Sequence, residues 1–321
     1  MMTGPRSKAE AGPARGGLLD AVILVDKPEN MTSFDVVRRV QRIAGTARVG
    51  HAGTLDRFAS GLLVLCTGTA TKLARFLIED DKIYTGTVKL GASTDTDDRE
   101  GAVTGTRPTD GVTERDILDS SRKFVGPIIQ VPPTYSALKV RGRRASDRAR
   151  SGESVTLAGR TVTVYEFAIT GVDTGSARFD FRVRCSKGTY IRSIARDMGT
   201  DLGTGAYLEA LRRTGSGFFS IDDAVSLAEL DEFAREGRPG KRFLRSPVEA
   251  LGHCGRITVR ENAVKRVFNG APFDRESVST IEDKGGKVFI IIDENENLIA
   301  IADVDIKNWQ IAYLNVFNSE A

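Results

Sequence analysis

Residues 49–61 read VGHAGTLDRFASG. Gly50, Gly53 and Gly61 fall within thirteen positions and no hydrophobic period is sustained, which predicts a loop between regular elements. Gly50 and Gly53 permit tight turning or close approach of the backbone to another group. His51 is one of only two histidines, and Asp56 is an ionisable carboxylate with nucleophilic capacity. An aspartate in a glycine-rich loop also caps helices and closes turns, so the residues alone leave both readings open.

Working outward, residues 21–25 form a short apolar run closed by Asp26, Lys27 and Pro28 and predict a buried strand. A helix is expected next: Thr32 or Ser33 offers an N-cap, Val36, Val37, Val40 and Ile43 share one face, and Gly45 stands at the stop. On the other side, residues 62–66 read as a second buried strand. Residues 71–78 read as a helix with Leu73, Ala74, Leu77 and Ile78 inward, and residues 84–90 as a strand.

Further on, residues 178–185 alternate strictly. Phe179, Phe181, Val183 and Cys185 face one way and Arg178, Asp180, Arg182 and Arg184 the other, the pattern of a half-buried, antiparallel strand. Residues 189–198 predict a helix with Ile191, Ile194, Ala195 and Met198 on its core face and Arg192 and Arg196 together on another. Gly, Pro and cations cluster at residues 237–246 and mark a boundary. Beyond it short strands dominate, with residues 287–292 and 298–303 expected to pair as a hairpin, in a small β-rich barrel or module.

Composition narrows the function classes. With 46 Lys+Arg against 43 Asp+Glu the net charge is +3, and 40% hydrophobic residues argue for a globular chain. No apolar run reaches the ~18–20 residues of a membrane span, and residues 1–17 lack the apolar core of a secretory signal, so they read as a loose tail. Three cysteines without a CxxC, and two histidines, leave no disulfide framework and no zinc quartet; a reduced cytoplasm is expected. Residues 68–72 lack the spacing of a phosphate-binding P-loop, and residues 215–217 are no nucleophile elbow. Residues 139–150, KVRGRRASDRAR, place six cations against Asp147, a patch suited to a polyanion or a solvated loop.

Taken in order, Leu24-Val25-Asp26-Lys27-Pro28, Met31-Thr32-Ser33, GHAGTLD at 50–56 with Ala59-Ser60-Gly61, Lys82-Ile83-Tyr84, QVPPTYSAL at 130–138, CSKGTYIR at 185–192 and LGTGAYLEAL at 202–211 closely resemble the TruB family of tRNA pseudouridine synthases. The resemblance runs from about residue 19 to about 220 and extends more weakly to the C-terminus.

It implies an α/β fold, a mixed, mainly antiparallel sheet flanked by helices, with a small C-terminal β-rich, PUA-like RNA-binding domain. The implied division is a tail at 1–18, a catalytic domain at 19–245 and the RNA-binding domain at 246–321. The implied activity is isomerisation of uridine 55 in the T-loop of tRNA to pseudouridine, without cofactor or metal, by a cytoplasmic monomer that is not membrane-bound. Asp56 matches the family's essential aspartate, acting on a flipped-out uridine. Arg192 matches the arginine that pairs with it, and Tyr84 the tyrosine that stacks on the target base and is placed for proton transfer. His51, Lys72, Asp98 and Tyr190 match further substrate-pocket positions. Arg141, Arg143 and Arg144 lie where the family carries a segment that grips the T-arm. Lys27 and Pro28 are expected to support the pocket wall. Arg57 stands where the family usually has proline, and Phe58 replaces a small aliphatic residue. A non-catalytic tRNA-binding or tRNA-folding module on the same scaffold is the alternative.

Overall fold

The computed structural model describes residues 18–136, 138–140, 142–153, 156–236 and 242–317. The chain opens with β1 (Val22–Lys27), whose central residues are wholly buried, and turns into α1 (Ser33–Ala44). Thr32 caps α1 through a reciprocal pair with Asp35, and Gly45 closes it in the left-handed region at φ 68°. Residues 49–61 are not all loop. β2 (Val49–His51) pairs antiparallel with β3 (Ser60–Thr67), because Val49 and Gly50 lie opposite Thr67 and Cys66 once the intervening turn folds back.

The expected helix at 71–78 is a 3₁₀ turn (Gly68–Leu73) running into a single α-helical turn, α2 (Ala74–Leu77). Leu73 and Leu77 are buried, but Ile78 is exposed and faces a cavity rather than the core. Then come β4 (Lys82–Leu90), the hairpin β5 (Ala92–Thr94) and β6 (Val103–Thr106), α3 (Glu114–Arg122) and β7 (Gly126–Gln130). A second small hairpin, β8 (Lys139–Val140) and β9 (Arg143–Arg144), leads into α4 (Ala145–Arg150). Two long strands, β10 (Arg160–Asp173) and β11 (Arg178–Cys185), precede α5 (Ile191–Asp201). β12 (Ala206–Ser216), β13 (Phe219–Ser220), α6 (Leu227–Glu236), β14 (Leu244–Arg245) and α7 (Pro247–Ala250) complete the larger part.

These strands make a 10-stranded sheet in the order β14-β1-β3-β12-β4-β11-β10-β7, with β2 and β13 attached to β3 and β12. Among the named strands of this sheet only β12 and β3 run parallel, so the sheet is mixed and mainly antiparallel, as the resemblance implies. The alternation along β11 is realised: Phe179, Phe181, Val183 and Cys185 are at most 2% exposed. Burying each of the larger apolar side chains is worth about 1.5–3 kcal/mol. Ile191, Ile194, Ala195 and Met198 of α5 are buried as the spacing predicts. Arg192 and Arg196 share another face of α5, where Arg192 is buried and Arg196 is half-buried.

The C-terminal part is a five-stranded sheet in the order β16-β15-β17-β18-β19, built from β15 (Gly255–Val259), β16 (Val278–Glu282), β17 (Val288–Ile292), β18 (Leu298–Asp305) and β19 (Gln310–Val316), with α8 (Glu261–Phe268) beside it. β17 and β18 form the expected hairpin. Among the described residues the path of pairing is open, with β16 and β19 at its edges, and is not a closed barrel. Both faces of β17 are covered, which accounts for its unbroken apolar run. Phe289 and Ile291 pack in a local core with Val259, Ala263 and Val267, while Ile290 and Ile292 join the large core.

Candidate active site

The turn between β2 and β3 presents Asp56 at the meeting point of two cavities, and local hydrogen bonds fix its path. Ala52 N–H donates to Val64 O at 2.9 Å, and Gly53 takes φ +110°. Leu55 N–H donates to Ser33 Oγ at 2.8 Å while that hydroxyl donates back to Leu55 O at 3.0 Å, so the first residue of α1 grips the residue before Asp56. On the other flank Lys27 is wholly buried and donates through Nζ to Pro28 O, Met31 O and Arg57 O at 2.9, 2.7 and 3.4 Å. Burial holds its pKa down at about 8, against the attraction of Asp56. Lys27 thus ties the end of β1 to the residue after Asp56.

Arg192, in the first turn of α5, comes to Asp56 from the opposite side. Its Nη2 donates to Oδ1 at 3.2 Å, and its Nε lies 3.0 Å from Oδ2 as an ion-pair contact without hydrogen-bond geometry. The same guanidinium donates to Thr96 O at 2.9 Å and Tyr135 O at 3.0 Å, and its Nη1 lies 3.3 Å from Asp98 Oδ2. Asp98 is buried, and its Oδ1 accepts from Thr96 Oγ1 at 2.6 Å and Glu100 N–H at 3.0 Å. One buried cation is therefore shared by two carboxylates. The Asp56 side chain keeps 37% exposure, open to the cavities. Enclosure by the surrounding walls raises the Asp56 pKa above its ordinary value, Arg192 opposes this, and Asp98 adds to the rise.

The first cavity, about 270 Å³, is lined by Asp56, Tyr84, Tyr190, Arg192, Leu211 and Arg213 among others. Tyr84, at the start of β4, is 9% exposed, and burial pushes its phenol pKa upward. Tyr190 caps α5 and is locked by Gln130 at the end of β7. The Gln130 side chain accepts from Tyr190 N–H at 2.8 Å and donates to Tyr190 O at 3.0 Å. Arg160 lies 4.8 Å over the Tyr190 ring. Ser136 Oγ is buried at the wall of this cavity without a hydrogen-bond partner among the described residues.

The second cavity shares Thr54, Leu55, Asp56 and Arg192 with the first and adds Phe34, His51, Asp98, Tyr135 and Arg150. His51 Nδ1 is buried without a partner among the described residues, and burial followed by the charge of Arg213 lowers its pKa. The departures beside Asp56 leave its pairing with Arg192 undisturbed. Arg57 turns outward toward Glu100 at 4.0 Å, and Phe58 is fully buried with the Arg99 guanidinium 5.8 Å from its ring.

The structure thus brings together Asp56, Tyr84, Arg192, His51, Asp98 and Tyr190. It does not bring Lys72 to them. Lys72 Nζ donates to Val316 O at 3.0 Å and stands 5.4 Å from the Phe317 ring, so it ties the 3₁₀ turn to β19 and lies outside the lining of both cavities. Arg143 pairs with Glu153 at 2.8 Å. Arg141 and the side chain of Arg144 lie outside the described residues. Sequence reading overlooked Gln130, Arg160 and Arg213. Gln130 opens one of the family-like segments, and Arg213 follows another by two residues, but nothing in either segment marks the side chain as buried.

Among the described residues no His, Cys, Asp or Glu cluster could hold a metal ion, and no helix is long and apolar enough to cross a membrane. Cys66 and Cys185 are buried and free, their thiols pushed up to about 12 by burial.

Comparison with known proteins places this arrangement. The family model for the TruB family pseudouridylate synthase N-terminal domain matches residues 41–191, and that for the tRNA pseudouridylate synthase B C-terminal domain matches residues 192–251. A tRNA pseudouridine synthase B of Thermobifida fusca is 52% identical over 219 residues, covering 66% of this chain and 75% of that protein. Its namesake in Clostridium kluyveri is 40% identical over 274 residues, covering 85% and 92%. Among solved structures, that of a Cbf5-Nop10-Gar1 complex has a chain with TM-score 0.73 at 25% identity, covering 95% of this chain and 86% of that one. An archaeal box H/ACA sRNP Nop10-Cbf5 complex has a chain with TM-score 0.71 at 25% identity, covering 97% and 92%. With a relative 40% identical along nearly its whole length and two family models meeting at Arg192, the chain belongs to the TruB family of pseudouridylate synthases.

Proposed function

We propose that this protein isomerises uridine 55 in the T-loop of tRNA to pseudouridine, with Asp56 as the nucleophile acting on a flipped-out uridine. The observation that carries the reading is the Asp56 carboxylate paired with Arg192 in a cavity whose wall includes Tyr84. The family membership and the names of the relatives support tRNA as the substrate.

A uridine inside a stacked loop cannot present its glycosidic bond to a recessed carboxylate, so it must be extruded, and the lost stacking must be replaced. Tyr84 and Tyr190 offer aromatic surface in the first cavity for that purpose. Arg192 keeps Asp56 ionised and oriented, and the bonds from Ser33 and Lys27 to the residues flanking Asp56 limit its wandering. Substrate and product are isomers, so the reaction has no net redox change and calls for no cofactor. The proposal takes the protein to act as a monomer in the cytoplasm.

The proposed division assigns the chemistry to residues 19–245 and tRNA docking to 246–321, with Arg141, Arg143 and Arg144 meeting T-arm phosphates. Neutralising the three arginines should weaken tRNA binding and reduce the salt slope by about 0.7–0.9 for each phosphate left without its cation; an unchanged slope in filter-binding titrations overturns the assignment. The central test is Asp56→Asn on unmodified tRNA transcript, with the isomerised position mapped. Binding should persist and pseudouridine should not form; normal turnover by the variant would sink the reading.

A further inference from the structure

Among the described residues Arg213 is the largest fully buried side chain, at 1% exposure, and it has no carboxylate partner. The contrast with its neighbour is direct: Arg212 makes a two-point pair with Asp26 at 3.0 and 2.7 Å. Arg213 instead donates from Nε to Leu62 O at 2.7 Å and from Nη2 to Gly53 O at 3.2 Å. Burying a guanidinium without a counter-charge is costly, so a site that keeps one has an uncompensated positive charge to use.

The sheet places that charge. β12 runs between β3 and β4, and Arg213 lies opposite Gly61 on one side and Tyr84 on the other. Gly61 lets β3 approach, since a Cβ there would meet the Arg213 backbone oxygen at 2.3 Å. The guanidinium lines the same cavity as Asp56 and Tyr84, and its nearest atom lies 3.4 Å from where a Cβ on Gly53 would stand. Lys82, in the same wall, is engaged by the carbonyls of Leu77, Ile78 and Asp80. Arg213 favours ionisation of Tyr84, against burial, and disfavours a second charge on Lys27, Lys82 and His51.

We propose that Arg213 is a further functional residue of the reaction, supplying the fixed positive charge that meets the negative charge developing on the uracil and holding the Tyr84 hydroxyl toward the base. This rests on the reading of Asp56 given above, but not on the route it takes. If an Asp56 oxygen bonds C1′, the C1′–N1 electron pair leaves with the base and the carboxylate's negative charge passes to the uracil. If Asp56 instead takes the C2′ proton, the same bond breaks as C1′=C2′ forms, and the uracil again departs as an anion. If the oxygen adds to C6, the C5=C6 electrons move onto the C4 carbonyl oxygen as an enolate. Each route moves one negative charge from Asp56, beside Arg192, toward the base, and Arg213 is a buried cation lining that cavity without a carboxylate partner among the described residues. Preorganised charge of this kind acts without reorganisation as the reaction proceeds.

The test uses the full chain and an unmodified tRNA transcript, with Arg213→Gln, Arg213→Lys and Arg213→Ala compared by filter binding, single-turnover rate and thermal melting. Binding should stay near wild type while the single-turnover rate of Arg213→Gln falls about 100-fold or more, the scale expected for losing one charge-stabilising donor. Arg213→Lys should fall less. Millimolar guanidinium ion should restore rate to Arg213→Ala, and tetramethylammonium at the same concentration should not. A wild-type rate in Arg213→Gln overturns the proposal. So does a loss of rate matched by equal losses of binding and melting temperature with no guanidinium rescue, which marks a purely structural role. Should Arg213→Ala fail to fold, the Gln and Lys variants decide by the same separation of rate from binding. Asp56→Asn, run alongside, keeps the two readings apart. Its activity would overturn the nucleophile, whereas an inactive Asp56→Asn beside a fully active Arg213→Gln overturns Arg213 alone.

Discussion

Arg192 does two jobs with one guanidinium: it pairs with Asp56, and it neutralises the buried Asp98. The consequence for pH follows from charge. The Asp56 pKa is raised by its enclosure and held back chiefly by Arg192. In the proposed role Asp56 must be ionised to act as nucleophile, so activity should be lost as pH falls through this raised value, with the acid limb above the ordinary carboxylate range. Arg192→Gln removes the largest opposing influence, so what activity remains should have its acid limb displaced to higher pH. Single-turnover rates between pH 5 and 8 check this; a limb that stays in place would show that Arg192 does not set the protonation of Asp56.

The loop that carries Asp56 is held by its neighbours in the fold. Thr32 and Ser33 are adjacent, but their hydroxyls serve different ends. Thr32 Oγ1 accepts from Asp35 N–H and serves α1 alone, whereas Ser33 Oγ closes a two-way bond with the Leu55 backbone. Thr32→Ala should therefore cost about 1 kcal/mol of stability as a lost N-cap and leave the single-turnover rate near wild type. Ser33→Ala leaves buried Leu55 backbone groups unpaired, at about 1–3 kcal/mol, and should also slow the chemical step. Urea denaturation beside single-turnover kinetics separates the two; equal rates in both variants would show that the Ser33 bond does not position Asp56.

The C-terminal sheet is joined to the larger part by its last strand. Arg75 donates to Leu314 O, Asn315 Nδ2 donates to Lys72 O at 3.3 Å, and Phe317 is buried in the large core. Phe317→Ala should cost about 3 kcal/mol through the cavity it leaves, read as a lower urea midpoint at constant m. Lys72→Ala removes one exposed hydrogen bond, so it should cost at most about 1 kcal/mol and leave the chemical step untouched. A large fall in single-turnover rate for Lys72→Ala would return that residue to the substrate.

The strands, the limits of α1 and the buried face of α5 were legible because hydrophobic period and capping are local properties of the chain. The motif order also carried the fold class and six residues that the structure gathers around two cavities. Three features needed the tertiary structure. Val49–His51 became a strand because β3 offered a partner for it. Lys72 went to β19 because the chain's far end folds back over the 3₁₀ turn. Arg213 lost its water because β3 and β4 close over it from both sides, 152 and 129 residues earlier in the chain at Gly61 and Tyr84. Burial and pairing at such separations depend on which surfaces the whole fold brings together. A cationic side chain therefore looks the same in the sequence whether it ends in solvent or in a catalytic cavity.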